Sequence, residues 1–333
     1  MRVLTAILLG LITAPLWAGD GRGVEVTIHE WNVPWPHSRP RDPAVAADGR
    51  VWFVGQGDDY LAVMMPGEGG DREARFRRHD LPEGTGPHNV VVGPEGDLWV
   101  AGNRNQRLIR VSPASGDMTH HAIEREGADP HTQQFGSDGD LWFTLQHYNA
   151  IGRLAPDSGD IRLIRLPTDN ARPYGLDIGP AGDIWFTEFG SNKLARLDRE
   201  TREVTEYILP REEARPRRLE VAADGRVWYV DYTGGYLGRL EPDEVAFEEW
   251  PAPAGEDALP YAMGLDGQGR PWFVQTGPDS NTLVGFDPGT GEYIATMAIP
   301  SGGGAARNMV WDPARASFWF GTDANTMVRA HIE

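Results

Sequence analysis

Residues 173–188 read PYGLDIGPAGDIWFTE and run on to residue 197 as FGSNKLARL. An alternating segment, a turn, an aromatic segment and a further short segment follow one another, the pattern of antiparallel strands joined by hairpins. The unit returns along the whole chain. Trp52, Trp99, Trp142, Trp185, Trp228, Trp272 and Trp319 are separated by 47, 43, 43, 43, 44 and 47 residues. A period of that length built from short strands predicts an all-β, seven-bladed β-propeller with four antiparallel strands per blade.

One period across nearly all of the 333 residues makes residues 19–333 a single closed domain, although length alone suggests two. The dipeptides Asp48-Gly49, Glu95-Gly96, Asp138-Gly139 and Asp224-Gly225 supply the positive φ angles that tight hairpins need. Fourth strands are expected over 73–82, 117–123, 160–167, 203–210, 245–251 and 292–300, six for seven blades. The seventh lies at the other end of the chain, over 24–31, so the N-terminal strand is expected to complete the last blade and remove its free edge. The repeated tryptophans read as packing between blades rather than as a cofactor platform.

Residues 1–18 carry one basic residue, Arg2, then an apolar run from Val3 to Ile12 and small residues near Ala14 and Ala18. This is the pattern of a secretory signal peptide, too short to span a bilayer, and it predicts a periplasmic or secreted protein. With no cysteine, the fold rests on burial and strand pairing, and thiolate zinc sites and covalent haem are excluded. A net charge of −18 argues against nucleic acid or an anionic membrane surface as partner. A small-molecule or peptide-like ligand and a monomeric state are expected. The Gly-rich run 301–306 lacks the strand and helix context of a nucleotide loop.

The repeats differ most usefully where the first strands begin, because these strands line the channel of a propeller. Aligned on the tryptophans, these positions hold Arg41, His88, His131, Tyr174, Arg217, Tyr261 and Arg307, preceded by Pro in every blade but the last. They are expected to form a ring at one channel mouth. A second set, three residues past each Trp, holds Gly55, Gly102, Leu145, Glu188, Asp231, Gln275 and Thr322, and is expected to face the first across a funnel. The ring arginines suit a carboxylate or other anion, or else pair with Asp42, Glu188 or Asp231. His147 lies just beyond the second set and is a candidate for reaching the site, whereas His120 and His121 fall on an outer strand.

The units GPHNVVVGPEGDLWV, ARPYGLDIGPAGDIWFTEFGSNKLARL and YNAIGRL resemble the streptogramin B lyase (virginiamycin B lyase) family, with its repeat PxGIxxGPDGxLWFTExxxNKIGRI, over roughly residues 24–333. The resemblance implies ring opening of a cyclic depsipeptide by β-elimination at an ester, with Mg2+. The family has two neighbouring blades beginning PH and the next beginning PY, an order that recurs here as His88, His131 and Tyr174. The resemblance implies that His131 is a general acid and His88 a supporting or orienting group. This chain departs from the family at residue 145, where the glutamate expected fourteen residues after His131 is a leucine. Carboxylates stand at the matching position in the next two blades, as Glu188 and Asp231, and are the candidate magnesium ligands. Tyr174 joins the two histidines as a candidate catalytic group; Arg41, Arg217, Tyr261, Arg307 and His147 are candidates for contact with the ligand. The alternative is a non-catalytic propeller binding a small ligand, peptide or partner protein at the same mouth.

Overall fold

A computed structural model of the protein describes residues 24–67 and 74–333; the segment read as a signal peptide lies outside the described residues. They form seven four-stranded antiparallel sheets. Blades 1 to 6 each take four consecutive strands, and blade 7 takes three from the C-terminus and one, Val26–Asn32, from the N-terminus. The N-terminal strand pairs from Val26↔Ile332 to Asn32↔Thr326. The Asn325 side chain then holds the next stretch of chain, donating to the carbonyls of Val33 and Trp35 and accepting from the Ser38 amide. The predicted closure is therefore how the ring is sealed.

The second strand of each blade shows why the repeat needs its aromatic pair. Side chains on a strand alternate between its two faces. Trp99 packs into the next blade with Leu141 and Phe143, and Trp142 does the same with Ile184 and Phe186. The residue after each tryptophan turns the other way: Phe143 meets Trp99 and Phe186 meets Trp142 across the seam before it. All seven tryptophans are 0–4% exposed, so their role is inter-blade packing. The glycines of the expected hairpins take φ of +81° at Gly49 and +88° at Gly225. On the third strand, a Cβ at Gly152 would lie 2.2 Å from the Phe143 ring, so glycine makes room for the aromatic beside it. Among the described residues, no helix is long and apolar enough to cross a membrane.

Candidate active site at the channel mouth

Every first strand begins with an irregularity. In blade 3 the register slips between Pro130 and Gln133, in blade 4 between Pro173 and Leu176, and in blade 5 between Pro216 and Arg218, with the same break in the other four. A bulge re-aims side chains that strict alternation would send to opposite faces. Here it turns not only the expected ring residues towards the channel axis but also the residues after three of them, Asp42, Thr132 and Arg218.

The ring residues meet in an arc. The His88 and His131 rings lie 3.5 Å apart, and those of His131 and Tyr174 3.9 Å apart. The Tyr174 and Tyr261 hydroxyls share a short hydrogen bond. Arg41 donates through Nη1 to Gln56 Oε1 at 2.6 Å and through Nη2 to His88 Nε2 at 2.7 Å. Because a guanidinium only donates, His88 Nε2 is the acceptor and the ring proton sits on Nδ1, 3.7 Å from Asp42 Oδ2. Arg217 stands over Tyr174, Phe189, Tyr232 and Tyr261, its guanidinium carbon 4.1–5.3 Å from their centroids.

Below this arc one side chain crosses the channel. Arg218 donates to Asp42 Oδ2 at 3.1 Å, to Thr132 Oγ1 at 3.0 Å and to the Arg307 carbonyl at 2.9 Å, tying blade 5 to blades 1, 3 and 7. Thr132 Oγ1 in turn contacts His131 Nδ1 at 3.1 Å. Burial, with the charges of Arg41 and Arg218 nearby, pushes the imidazolium forms of His88 and His131 well below the usual histidine range. Both histidines are therefore neutral at neutral pH.

The second set does not face the ring, which corrects the expected funnel. Residues three past the tryptophan share a face with the aromatic one past it, so they point into the seam with the preceding blade. Leu145 joins the apolar cluster of Trp99, Ala128 and Phe143. Glu188 is fully buried and accepts from Ser191 Oγ at 3.0 Å. Asp231, also fully buried, accepts from Arg211 Nη2 at 2.9 Å and from the Arg215 amide at 2.8 Å. Gln275 and Thr322 bond to Thr282 and Thr326 of their own blades. The residues that reach the mouth come one position later, just past the strand end: Gln56 on Arg41, Phe189 and Tyr232 beside Arg217, and Asp323 in two bonds to Arg307. Their signal in the sequence was a run of large polar or aromatic residues directly after the second set.

The proposed magnesium ligands accordingly do not fit as a pair. Glu188 and Asp231 sit in different seams, and Asp231 is already neutralised by Arg211. No group of three potential ligands among His, Cys, Asp and Glu comes together among the described residues. His147 does stand at the rim: it is exposed, and its Nδ1 lies 2.5 Å from Asp129 Oδ2, with Asn103 holding the other Asp129 oxygen. His120 is exposed on its outer strand, while His121 is partly covered by stacking on Trp99, ring centroids 5.3 Å apart.

The virginiamycin B lyase family model matches residues 26–330. No curated protein sequence matches the chain. Among solved structures, a streptogramin B lyase is similar with a TM-score of 0.82 at 22% identity, over 92% of this chain and 98% of that one. A catalytically inactive histidine-to-alanine variant of virginiamycin B lyase from Staphylococcus aureus, with quinupristin, gives 0.82 at 21% identity over 92% and 99%. Hydrazine synthase from Kuenenia stuttgartiensis gives 0.71 at 14% identity over 89% and 96%. At such identities the likeness to these structures establishes the propeller fold.

Proposed function

Because the chain belongs to the virginiamycin B lyase family, we propose that it is an exported lyase-like enzyme that opens a cyclic ester or depsipeptide of the streptogramin B type by β-elimination. The supporting observation is His131, a neutral imidazole set between His88 and Tyr174, with Nδ1 at Thr132 and no hydrogen bond on Nε2 among the described residues. A histidine that starts neutral starts as a base. His131 Nε2 takes the proton from Cα, the electron pair forms the Cα=Cβ bond, and the Cβ–O bond of the ester breaks to release a carboxylate. The imidazolium so formed, beside Arg41 and Arg218, is a strong acid and gives its proton to the departing carboxylate or to solvent. The general-acid role implied by the family thus follows the base step. His88, fixed by Arg41, orients the ring of His131. His131 is 2% exposed with the Tyr174 ring packed on its own, so Tyr174, hydrogen-bonded to Tyr261, must shift to admit a ligand. The two hydroxyls then donate to the carbonyl oxygen on which charge develops.

The test is incubation with a cyclic depsipeptide lactone, read by mass spectrometry for a linear product of unchanged mass and by the absorbance of the new conjugated alkene. His131→Ala is expected to lower the rate on the order of 100- to 10,000-fold. The magnesium dependence implied by the family is read in the same assay by adding a chelator. Leu145 and the closed mouth favour a second reading, a non-catalytic propeller holding a small or peptide-like ligand. Ligand binding without turnover over a panel of esters and lactones is the result that decides for it.

A further inference from the structure

Three arginines stand at the mouth, and the structure separates them. Arg41 is spent on Gln56 and His88, with Asp42 3.9 Å from its Nε. Arg307 is spent on both carboxylate oxygens of Asp323. Arg217 has no carboxylate within 4.0 Å and no hydrogen bond to its guanidinium among the described residues, and its Nε is buried without a partner. What surrounds it instead is aromatic. Phe189 and Tyr232 lie 6.4 Å apart, Tyr232 and Tyr261 5.6 Å, Tyr261 and Tyr174 6.2 Å, and Tyr174 and Phe189 5.7 Å, centroid to centroid, a closed quadrilateral around one cation.

Ring faces attract a guanidinium, but they do not neutralise it and they accept none of its N–H bonds. A cation held rigidly in low-dielectric walls, with its donors unspent, is preorganised for a planar anion. Arg217 and its neighbours Phe189 and Tyr232 are only partly buried, so they reach solvent at the mouth, unlike the histidines beneath them. We propose that Arg217, Phe189, Tyr232 and Tyr261 form a receptor for a carboxylate carried on a flat apolar group: the guanidinium takes the two oxygens and the rings take the apolar body. Resting on the elimination reading, this site receives the new carboxylate end of the ring-opened product that Cβ–O cleavage forms. As a binding site it needs no turnover.

The experiment is calorimetric titration of the full chain with phenylacetate and, as the uncharged isostere, phenylacetamide. Phenylacetate is expected to bind saturably at millimolar or lower concentration and the amide at least tenfold more weakly. Arg217→Met is expected to weaken phenylacetate at least tenfold, and Arg217→Lys, which keeps the charge but loses the planar fork, by an intermediate factor. Melting curves of both variants report whether they fold; the lysine variant keeps the comparison if the methionine one does not. Equal affinity for acid and amide, no binding of either, or unchanged affinity in the variants overturns the proposal. An enzyme that opens lactones yet fails these titrations retains the elimination reading and loses this one.

Discussion

Glu188 lies fully buried in the seam between blades 3 and 4, with Ser191 donating to Oε2 and nothing donating to Oε1. Burial, and then the neighbouring Glu206 carboxylate, pushes its pKa up to about 7. Its folded value is thus above its unfolded one. The stabilisation that protonated Glu188 gives is complete below the usual glutamate range near 4.5 and is lost as pH rises through about 7. Glu188→Gln, neutral at every pH, is expected to remove that loss. Urea denaturation should show the variant gaining on the parent by up to about 3 kcal/mol between pH 5 and pH 8, from roughly 1.36 kcal/mol per pKa unit. Arg218 makes the opposite case. Replacing it with Met leaves Asp42, fully shielded beneath the mouth, without its cross-channel cation, and a buried pair broken on one side costs about 3–5 kcal/mol. A denaturation midpoint within error of the parent would show that the brace contributes nothing.

At the scale of the element, two features of the repeat position the site. One is the bulge at the start of each first strand, and the other is the glycine that follows Tyr174. A Cβ at Gly175 would come within 2.8 Å of the Arg217 carbonyl oxygen and 3.0 Å of the Arg218 Cα, so this glycine sets how closely the first strands of blades 4 and 5 approach. Gly175→Ala is expected to destabilise by about 1–3 kcal/mol, the usual cost of overpacking. It should also weaken phenylacetate binding, because both arginines move; calorimetry and melting read the two effects separately. The N-terminal strand is the other element with a distinct role. Trp31 stacks on Trp319 with centroids 5.7 Å apart, and Asn325 clasps the chain behind it. Deleting residues 19–34 strips blade 7 of its fourth strand and leaves an open edge. Loss of the cooperative melting transition, or a clear fall in its midpoint with aggregation, is the expected outcome; unchanged melting refutes the closure as a source of stability.

For the whole molecule, Arg218 braces the channel beneath the ring by joining four blades. Burying two neutral histidines there makes stability depend on pH with a sign opposite to that of Glu188. Their folded pKa values are depressed by burial and by the nearby arginines, so below about 6.5 the unfolded chain binds protons that the folded chain refuses. Stability is expected to fall as pH drops below 6.5, and a His88→Gln, His131→Gln double variant should flatten that acid limb in urea titrations from pH 7.5 to 5. The ring of seven first-strand residues was legible in the sequence because the tryptophan period aligns the blades without gaps until the last. The second set was displaced by one residue, since a strand turns over at each step and its last residue faces the seam while the next faces the mouth. Thr132 and Arg218 had no signal in the sequence, and Asp42 entered only as a partner for the ring arginines, because a bulge is a backbone event with no residue signature of its own here. Local periodicity and turn chemistry therefore sufficed for the architecture and the number of blades, which depend on neighbours in sequence, and a count of six fourth strands for seven blades sufficed for the closing strand, although its partner lies at the other end of the chain. Which arginine is left unpaired, that both histidines are discharged and which carboxylate is shut into a seam were decided only in the tertiary structure, because each depends on groups that strand pairing and blade packing bring together.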